Sequence, residues 1–176
     1  MRLSTDLDPT DIEILRALQK NGRIALGALA EQVKLSSPAV GERLKKLEER
    51  GVIVGFTAQL APKHLALDIT AFISIQVDSS RHYPAFLAKA IAHDEVMECH
   101  AITGDASHLL KIRTRNTSTL EVLLAEMQRW PGVTGTRTSL VLSTHKETLE
   151  LPLAHAEEVV GDARAPREGK RGAHQA

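Results

Sequence analysis

Residues 26–51 read LGALAEQVKLSSPAVGERLKKLEERG, which predicts two short amphipathic helices joined by a very short connection. The first helix is indicated by apolar residues at i, i+3, i+4 and i+7, namely Leu26, Leu29, Ala30 and Val33. The second has Ser36 or Ser37 as its N-cap, Pro38 in its first turn and Gly51 at its end. Helices this close in sequence must cross at a steep angle, which leaves the polar face of the second helix outside the protein.

A further helix precedes this pair, with Asp8 as its N-cap and Pro9 at its first position. After the pair, residues 52–56 (VIVGF) are β-branched and aromatic, and they predict a strand that leads into a second domain. The boundary is expected after residue 60. The first domain is therefore residues 1–60, including the start of the linking strand.

The second domain, residues 61–153, begins with a change of hydrophobic period from 3.6 to 2 at Asp68. The pattern then predicts a strand, a helix, two strands, a helix that Ser118 and Glu121 open as a capping box, and a last strand from 133 to about 145. This β-α-β-β-α-β order is the signature of a ferredoxin-like sandwich, in which both helices cover one face of a four-stranded antiparallel sheet. The fold class is α+β.

The other face of that sheet is left uncovered by the helices. Phe72, Leu140 and Leu142 are expected to point toward it, and an apolar face of this kind needs a partner. The remaining tail, residues 154–176, is expected to be disordered because its sequence from Gly161 onward is rich in Gly, Ala, Pro and charge.

Composition excludes several classes of protein. The 176 residues are 43% hydrophobic and 25% charged, and neither a membrane-spanning stretch nor a secretory signal is found, so a cytoplasmic location is expected. Cys99 is the single cysteine, which excludes an internal disulfide and a thiolate metal cage. His93, His100 and His108 lack the short paired spacing of zinc sites, so no metal is predicted.

The charge is balanced overall, with 22 basic and 22 acidic side chains, but residues 34–50 carry five basic against three acidic ones. A helix with a basic face fits the major groove of DNA, where its first turn reaches base edges and its lysines contact phosphates. A helical hairpin with a solvated charged face explains the same residues equally well. The candidate DNA-binding residues are Ser36, Ser37, Ala39, Arg43, Lys45 and Lys46.

The turn after the second strand is the best candidate for binding a small molecule. Its glycine exposes backbone N–H groups that can hold a carboxylate, and Asp105 can accept from an ammonium group, which together suit an amino acid. A plain hairpin turn is the simpler interpretation. The candidate ligand-binding residues are Thr103, Gly104, Asp105 and Ser107. No catalytic motif is found, so neither an enzyme nor a cofactor is predicted.

Taken in order, motifs from about residue 7 to 153 resemble the Lrp/AsnC family of bacterial and archaeal transcription regulators. The matching stretches are Leu7-Asp8 with Asp11 and Ile14-Leu15, Asn21-Gly22-Arg23, Leu35-Ser36, Val40, Arg43-Leu44-Lys45-Lys46-Leu47-Glu48, Gly51-Val52-Ile53, Glu98-Cys99-His100, Thr103-Gly104-Asp105 with Leu109-Leu110, and Leu151-Pro152-Leu153. The resemblance implies an N-terminal winged helix-turn-helix that binds double-stranded DNA, followed by a ferredoxin-like domain that binds an effector and forms oligomers.

In this family, dimers form through the sheets and commonly assemble into tetramers or octamers. An amino acid or related metabolite binds near the turn matched by Gly104 and Asp105, and it changes assembly or DNA affinity. The chain departs from the family at Ala25, where a capping Ser or Thr is usual. It also departs at Ser107 and His108, where an Asp and an aromatic residue are common, so a different ligand or none is an alternative.

Two other functions fit the same fold. Some haem-pathway decarboxylases resemble this family, and His100 or His108 would then be catalytic or contact a tetrapyrrole. The third function is that of a ligand-binding oligomer whose helix pair mediates assembly without binding DNA.

Overall fold

The computed structural model describes residues 7–164, which form two compact units. The first unit combines the chain up to residue 58 with the chain from residue 148, and the second is residues 59–147. The predicted boundaries after residues 60 and 153 therefore differ from the observed ones by two and six residues. The second unit is an insertion, in sequence, within the first.

Six helices and four strands make up the described part of the chain. In order they are α1 Pro9–Lys20, α2 Leu26–Val33, α3 Ser37–Glu49, β1 Ile69–Val77, α4 Tyr83–Ala92, β2 Val96–Ala101, β3 His108–Thr114, α5 Thr117–Met127, β4 Val133–Leu140 and α6 Ala154–Arg164, with 3-10 turns at Pro62–Leu65 and Ser80–His82. None of the helices within residues 7–164 is long and apolar enough to cross a bilayer.

The first unit is built around α1, α2 and α3, as the sequence predicts. Asp8 caps α1, and Ser36 caps α3 by accepting a hydrogen bond from the Ala39 amide. Lys34 adopts a left-handed conformation, with φ of 56°, between α2 and α3 and so makes the sharp turn between them. The core of this unit consists of Ile14, Ala17, Leu29, Ala30, Val33, Val40 and Leu47.

The predicted strand at residues 52–56 is wrong. The amides of Val52 and Ile53 both donate to the Leu47 carbonyl, so the chain folds back on the end of α3. Val54 is 96% exposed. A β-branched run becomes a strand only beside a second strand, and residues 7–164 of this chain provide none there.

The prediction of disorder from residue 154 is also wrong for residues 154–164, which form α6. This segment packs on α1. The Gln19 side chain donates to the Leu151 carbonyl at 3.2 Å and accepts from the Leu151 amide at 2.6 Å. Arg16 forms an ion pair with Glu157, and Val160 is buried. The rest of the predicted tail, residues 165–176, lies outside the described residues.

The second unit has the predicted ferredoxin-like βαββαβ topology. Its strands are all antiparallel, in the order β2-β3-β1-β4. Alternate residues of β1 are buried under α4 and α5, which cover one face of the sheet. The core consists of Ala71, Ile73, Ile75, Val77, Phe86, Ala90, Leu110, Ile112, Leu123, Met127 and Trp130.

The register defines the uncovered face. Phe72 lies opposite Lys111 on β3 and Ser139 on β4, and it is exposed as predicted. Leu140 pairs with Ala71, so it lies on the helix-covered side and its predicted orientation is wrong. The last strand ends at Leu140 rather than near residue 145, and Leu142 therefore lies beyond it.

The capping box of α5 also differs from the prediction. Asn116 is the N-cap, and its side chain and that of Thr119 exchange hydrogen bonds with each other's backbone amides at 3.0 Å. Ser118 and Glu121 do not cap this helix because it begins one residue before Ser118. Asparagine and threonine at this spacing supply the same acceptors as the predicted pair.

A charge network ties the segment after β4 to the uncovered face. Glu147 pairs with Lys111 and, at 2.7 Å, with Arg113, while Lys111 also donates to Glu98 at 3.0 Å. Hydrogen bonds from Lys111 and then Arg113 hold the pKa of Glu147 below its ordinary value of 4.5. Because that pKa is lowered on folding, the stabilisation is present above pH 4.5 and is lost as the pH falls through the lowered value.

We therefore expect Glu147→Gln to lower the free energy of unfolding at pH 7 and to lower it by less at pH 3. Urea unfolding at both pH values measures this difference. Glu121→Gln, which removes an exposed carboxylate from the same unit, is the matched control. Equal losses at the two pH values would contradict the assignment of the effect to the Glu147 charge.

Gly132 makes the close turn before β4. It has φ of +74°, its carbonyl accepts from the Asp78 amide at 2.9 Å, and an added Cβ would lie 2.5 Å from His82 Cβ. We expect Gly132→Ala to destabilise the second unit by about 2 to 4 kcal/mol, because both the left-handed backbone and the overlap are unfavourable. Thermal unfolding measures the loss. Gly135→Ala is the control, since its Cβ would meet an ordinary contact at 3.9 Å.

Candidate functional sites

The outer face of α3 presents two lysines to solvent. The Lys45 and Lys46 side chains are 76% and 62% exposed, and they pair along the helix with Glu49 at 3.7 Å and Glu42 at 2.7 Å. The hydrogen bond from Lys46 lowers the pKa of Glu42. Ion pairs between exposed side chains contribute little to stability, so either ammonium group can exchange its glutamate for a phosphate at little cost.

The first turn of α3 also lies at the surface. Ser36 is exposed, and its hydroxyl oxygen accepts from the Ala39 amide at 3.4 Å. Ser37 and Ala39 are half-buried at the start of the helix. This turn brings small side chains and the positive end of the helix dipole to the position from which a helix reads a groove.

Arg43 differs from the two lysines because it turns toward α1. Its Nη1 donates to Asp8 Oδ2 at 2.6 Å and to Asp11 Oδ1 at 2.7 Å. Burial acts to raise the pKa of Asp8, but hydrogen bonds from the Asp11 amide and from Arg43 outweigh it and hold that pKa below its usual value. The same two carboxylates raise the pKa of Arg43.

A shallow cavity of about 330 Å³ opens on the uncovered face of the sheet. Its charged residues are Asp105, from the turn between β2 and β3, and Arg137, from β4. Within the described residues, neither side chain has an ion-pair partner. The cavity is lined by Ser74, Gln76, Ile102, Asp105, Ala106, Gly135, Thr136 and Arg137.

The structure separates the four predicted ligand-binding residues. Asp105 lines the cavity, whereas Thr103 and Gly104 lie in the exposed turn, with Gly104 at φ of +110°. The Ser107 hydroxyl accepts from the Val77 amide and donates to the Ile75 carbonyl, each at 3.0 Å. Ser107 is therefore used to fix the turn against β1.

Arg137 was missed from the sequence. It carries a single charge on a strand of small polar residues, and only the antiparallel register that places it opposite Ser74 brings it to the same face as Asp105. The alternation of β4 was the one available signal, since it predicts that Arg137 points away from the side of Thr136 and Thr138, which are half-buried.

The histidines considered for catalysis do not share a site. His108 is 1% exposed, packs edge-on against Tyr83 at 4.8 Å between ring centroids, and has its pKa lowered by burial. His100 lies on the exposed face beside Glu98, at 3.2 Å. Among residues 7–164, no group of three or more His, Cys, Asp or Glu side chains is arranged to hold a metal ion. Cys99 is half-buried, and burial raises the pKa of its thiol.

Sequence comparison assigns both units to known domain types. The winged helix-turn-helix DNA-binding profile matches residues 7–54, and the Lrp/AsnC ligand binding domain profile matches residues 70–151. The exposed helix α3 falls within the first match, and the cavity beside Asp105 falls within the second.

Whole-chain relatives agree with this assignment. The chain is 40% identical over 153 residues to the HTH-type transcriptional regulator FL11 of Pyrococcus abyssi. The aligned region covers 87% of this chain and 99% of that protein. It is 37% identical to the leucine-responsive regulatory protein of Salmonella typhimurium, covering 85% and 93% respectively. The crystal structure of a Neisseria meningitidis transcriptional regulator in complex with L-Met matches with a TM-score of 0.81 at 34% identity, covering 85% of this chain and 99% of that one. The chain therefore belongs to the Lrp/AsnC family, as a transcriptional regulator with a winged helix-turn-helix DNA-binding domain and a ligand-binding domain.

Proposed function

We propose that this regulator binds operator DNA as a homodimer through α3, and that an amino acid or related metabolite held beside Asp105 modulates its DNA binding or its assembly. The observation that carries the proposal is the exposed polar face of α3, which is set by burial of Val40 and Leu47 on the opposite side. As a regulator of chromosomal genes, the protein would act in the cytoplasm.

In the proposed complex, α3 enters the major groove with its first turn leading. Ser36, Ser37 and Ala39 lie nearest the base edges, where small side chains allow close approach. Lys45 and Lys46 contact phosphates and supply affinity that does not depend on sequence. The division of roles follows from position, because the lysines lie two turns beyond the N-terminus of α3.

A dimer with two-fold symmetry binds two half-sites about one helical turn of DNA apart, or a multiple of that spacing. The uncovered sheet face, where the exposed Phe72 lies among polar and charged side chains, offers a surface for the second copy. Tetramers or octamers would be built from such dimers.

We expect the double variant Lys45→Gln/Lys46→Gln to weaken operator binding and to reduce its dependence on salt. Each phosphate contact contributes about 0.9 to the slope of log K against log salt, so the slope should fall by about 1.8. Fluorescence anisotropy with an operator fragment, repeated at four or five salt concentrations, measures both quantities.

The matched control is Lys63→Gln/Lys89→Gln, which makes the same change in net charge on exposed residues of the second unit. Its slope should stay close to that of the wild type. If the two double variants gave the same slope, α3 would not be the helix that contacts phosphates.

The cavity beside Asp105 has the charges that an amino acid requires. Arg137 can hold the carboxylate, and Asp105 can accept from the ammonium group, in a cavity whose lining also includes Ser74, Gln76 and Gly135. The similarity to a regulator crystallised with L-Met supports an amino acid as the ligand.

We expect Asp105→Asn and Arg137→Gln each to weaken binding of the amino acid by about 10- to 100-fold, the loss of one charged hydrogen bond. Isothermal titration with L-methionine, and then with a panel of other L-amino acids, measures the affinity. Asp68→Asn removes an exposed carboxylate from the same unit and should leave it unchanged. Binding of the ligand with equal affinity by all three variants would place the ligand elsewhere.

A further inference from the structure

Arg43 occupies an unusual position for a residue of a DNA-contacting helix. It follows Val40 by three residues and precedes Leu47 by four, and both of these are fully buried. Residues at this spacing share one face of a helix. Arg43 therefore lies at the edge of the buried face of α3, and its side chain is 32% exposed, about half the exposure of Lys46.

Its partners are the two carboxylates that begin α1. Asp8 is the N-cap, and it exchanges hydrogen bonds with Asp11 at 2.8 and 3.1 Å in a reciprocal capping box. Arg43 Nη1 donates to one oxygen of each, 35 and 32 residues away in sequence. One guanidinium nitrogen thus joins α3 to the first turn of α1.

The burial of Asp11 decides what Arg43 can do. The Asp11 side chain is only 9% exposed, and a carboxylate in that setting needs a positive partner. An Arg43 that turned outward to a DNA phosphate would leave Asp11 without its counter-charge. Lys45 and Lys46 carry no such penalty, because their glutamate partners are exposed to solvent.

We propose that Arg43 is a positioning residue, which fixes the rotation of α3 against α1 through Asp8 and Asp11 and does not itself contact DNA. The proposal rests on the function proposed above. The rotation of α3 about its own axis affects DNA binding because Arg43 and the residues that face DNA belong to the same rigid helix. If α3 rotates relative to α1, then Ser37, Ala39 and Lys46 move together.

The test compares Arg43→Gln with Lys46→Gln in thermal unfolding and in operator binding at several salt concentrations. For Arg43→Gln we expect a melting temperature lower by about 5 °C or more, roughly tenfold weaker binding at each salt concentration, and an unchanged salt slope. For Lys46→Gln we expect an unchanged melting temperature and a slope lower by about 0.9. A lowered slope with normal stability for Arg43→Gln would overturn the proposal.

Asp8→Asn gives a second test that leaves Arg43 in place. Asparagine is as good an N-cap as aspartate, so this change removes the charge while keeping the cap. If Arg43 positions α3, Asp8→Asn weakens operator binding and Arg43→Lys restores part of what Arg43→Gln loses. If Arg43 contacts phosphate, Asp8→Asn frees it, and binding becomes tighter with a steeper salt slope.

Measurements of stability test the positioning role of Arg43 independently of the proposed DNA-binding function. In a double-mutant cycle, Arg43→Gln and Asp11→Asn should lower the melting temperature by less together than the sum of their separate effects. Additive effects would overturn the positioning role even if DNA binding were normal. Failure of the wild-type protein to bind any operator would instead overturn the proposed function.

Discussion

Burial of two apolar side chains, Val40 and Leu47, is the constraint on which the DNA-binding unit depends. They lie seven residues apart, two turns of α3, and their burial fixes which side of that helix remains in solvent. Because Val40 and Leu47 are buried, Lys45 and Lys46 lie on the exposed side of α3, and no further interaction is needed to place them there. Arg43 lies at the border between the buried and exposed sides of α3. It helps to fix the rotation of this helix through ion pairs rather than through apolar contact.

Charge is used differently in the two units. On α3 the lysines pair with neighbouring glutamates that are equally exposed, which leaves them available to another anion. On the sheet, Lys111 and Arg113 are half-buried and form ion pairs with Glu98 and Glu147, so that network stabilises the fold. Asp105 and Arg137 place opposite charges in the lining of the cavity on the uncovered face of the sheet.

The secondary structure could be predicted wherever apolar residues recur at regular spacing along a whole element. In β1, for example, alternate residues from Ala71 to Val77 are apolar and buried. Residues 52–56 have the composition of a strand, but composition cannot supply the second strand that would pair with it. Arg137 and Asp105 lie 32 residues apart, and only the register brings them together. The spacing of Arg43 from Val40 and Leu47 was visible in the sequence, but its partner on α1 depends on how the helices cross.

The docking of residues 151–164 on α1 has a consequence for synthesis. Gln19 and the Leu151 backbone that it binds are 132 residues apart. At roughly 5 to 20 residues per second, a ribosome adds Leu151 about 7 to 26 s after Gln19. The nascent helix-turn-helix therefore emerges with one side of α1 uncovered, and it acquires that covering only after residues 151–164 have been added.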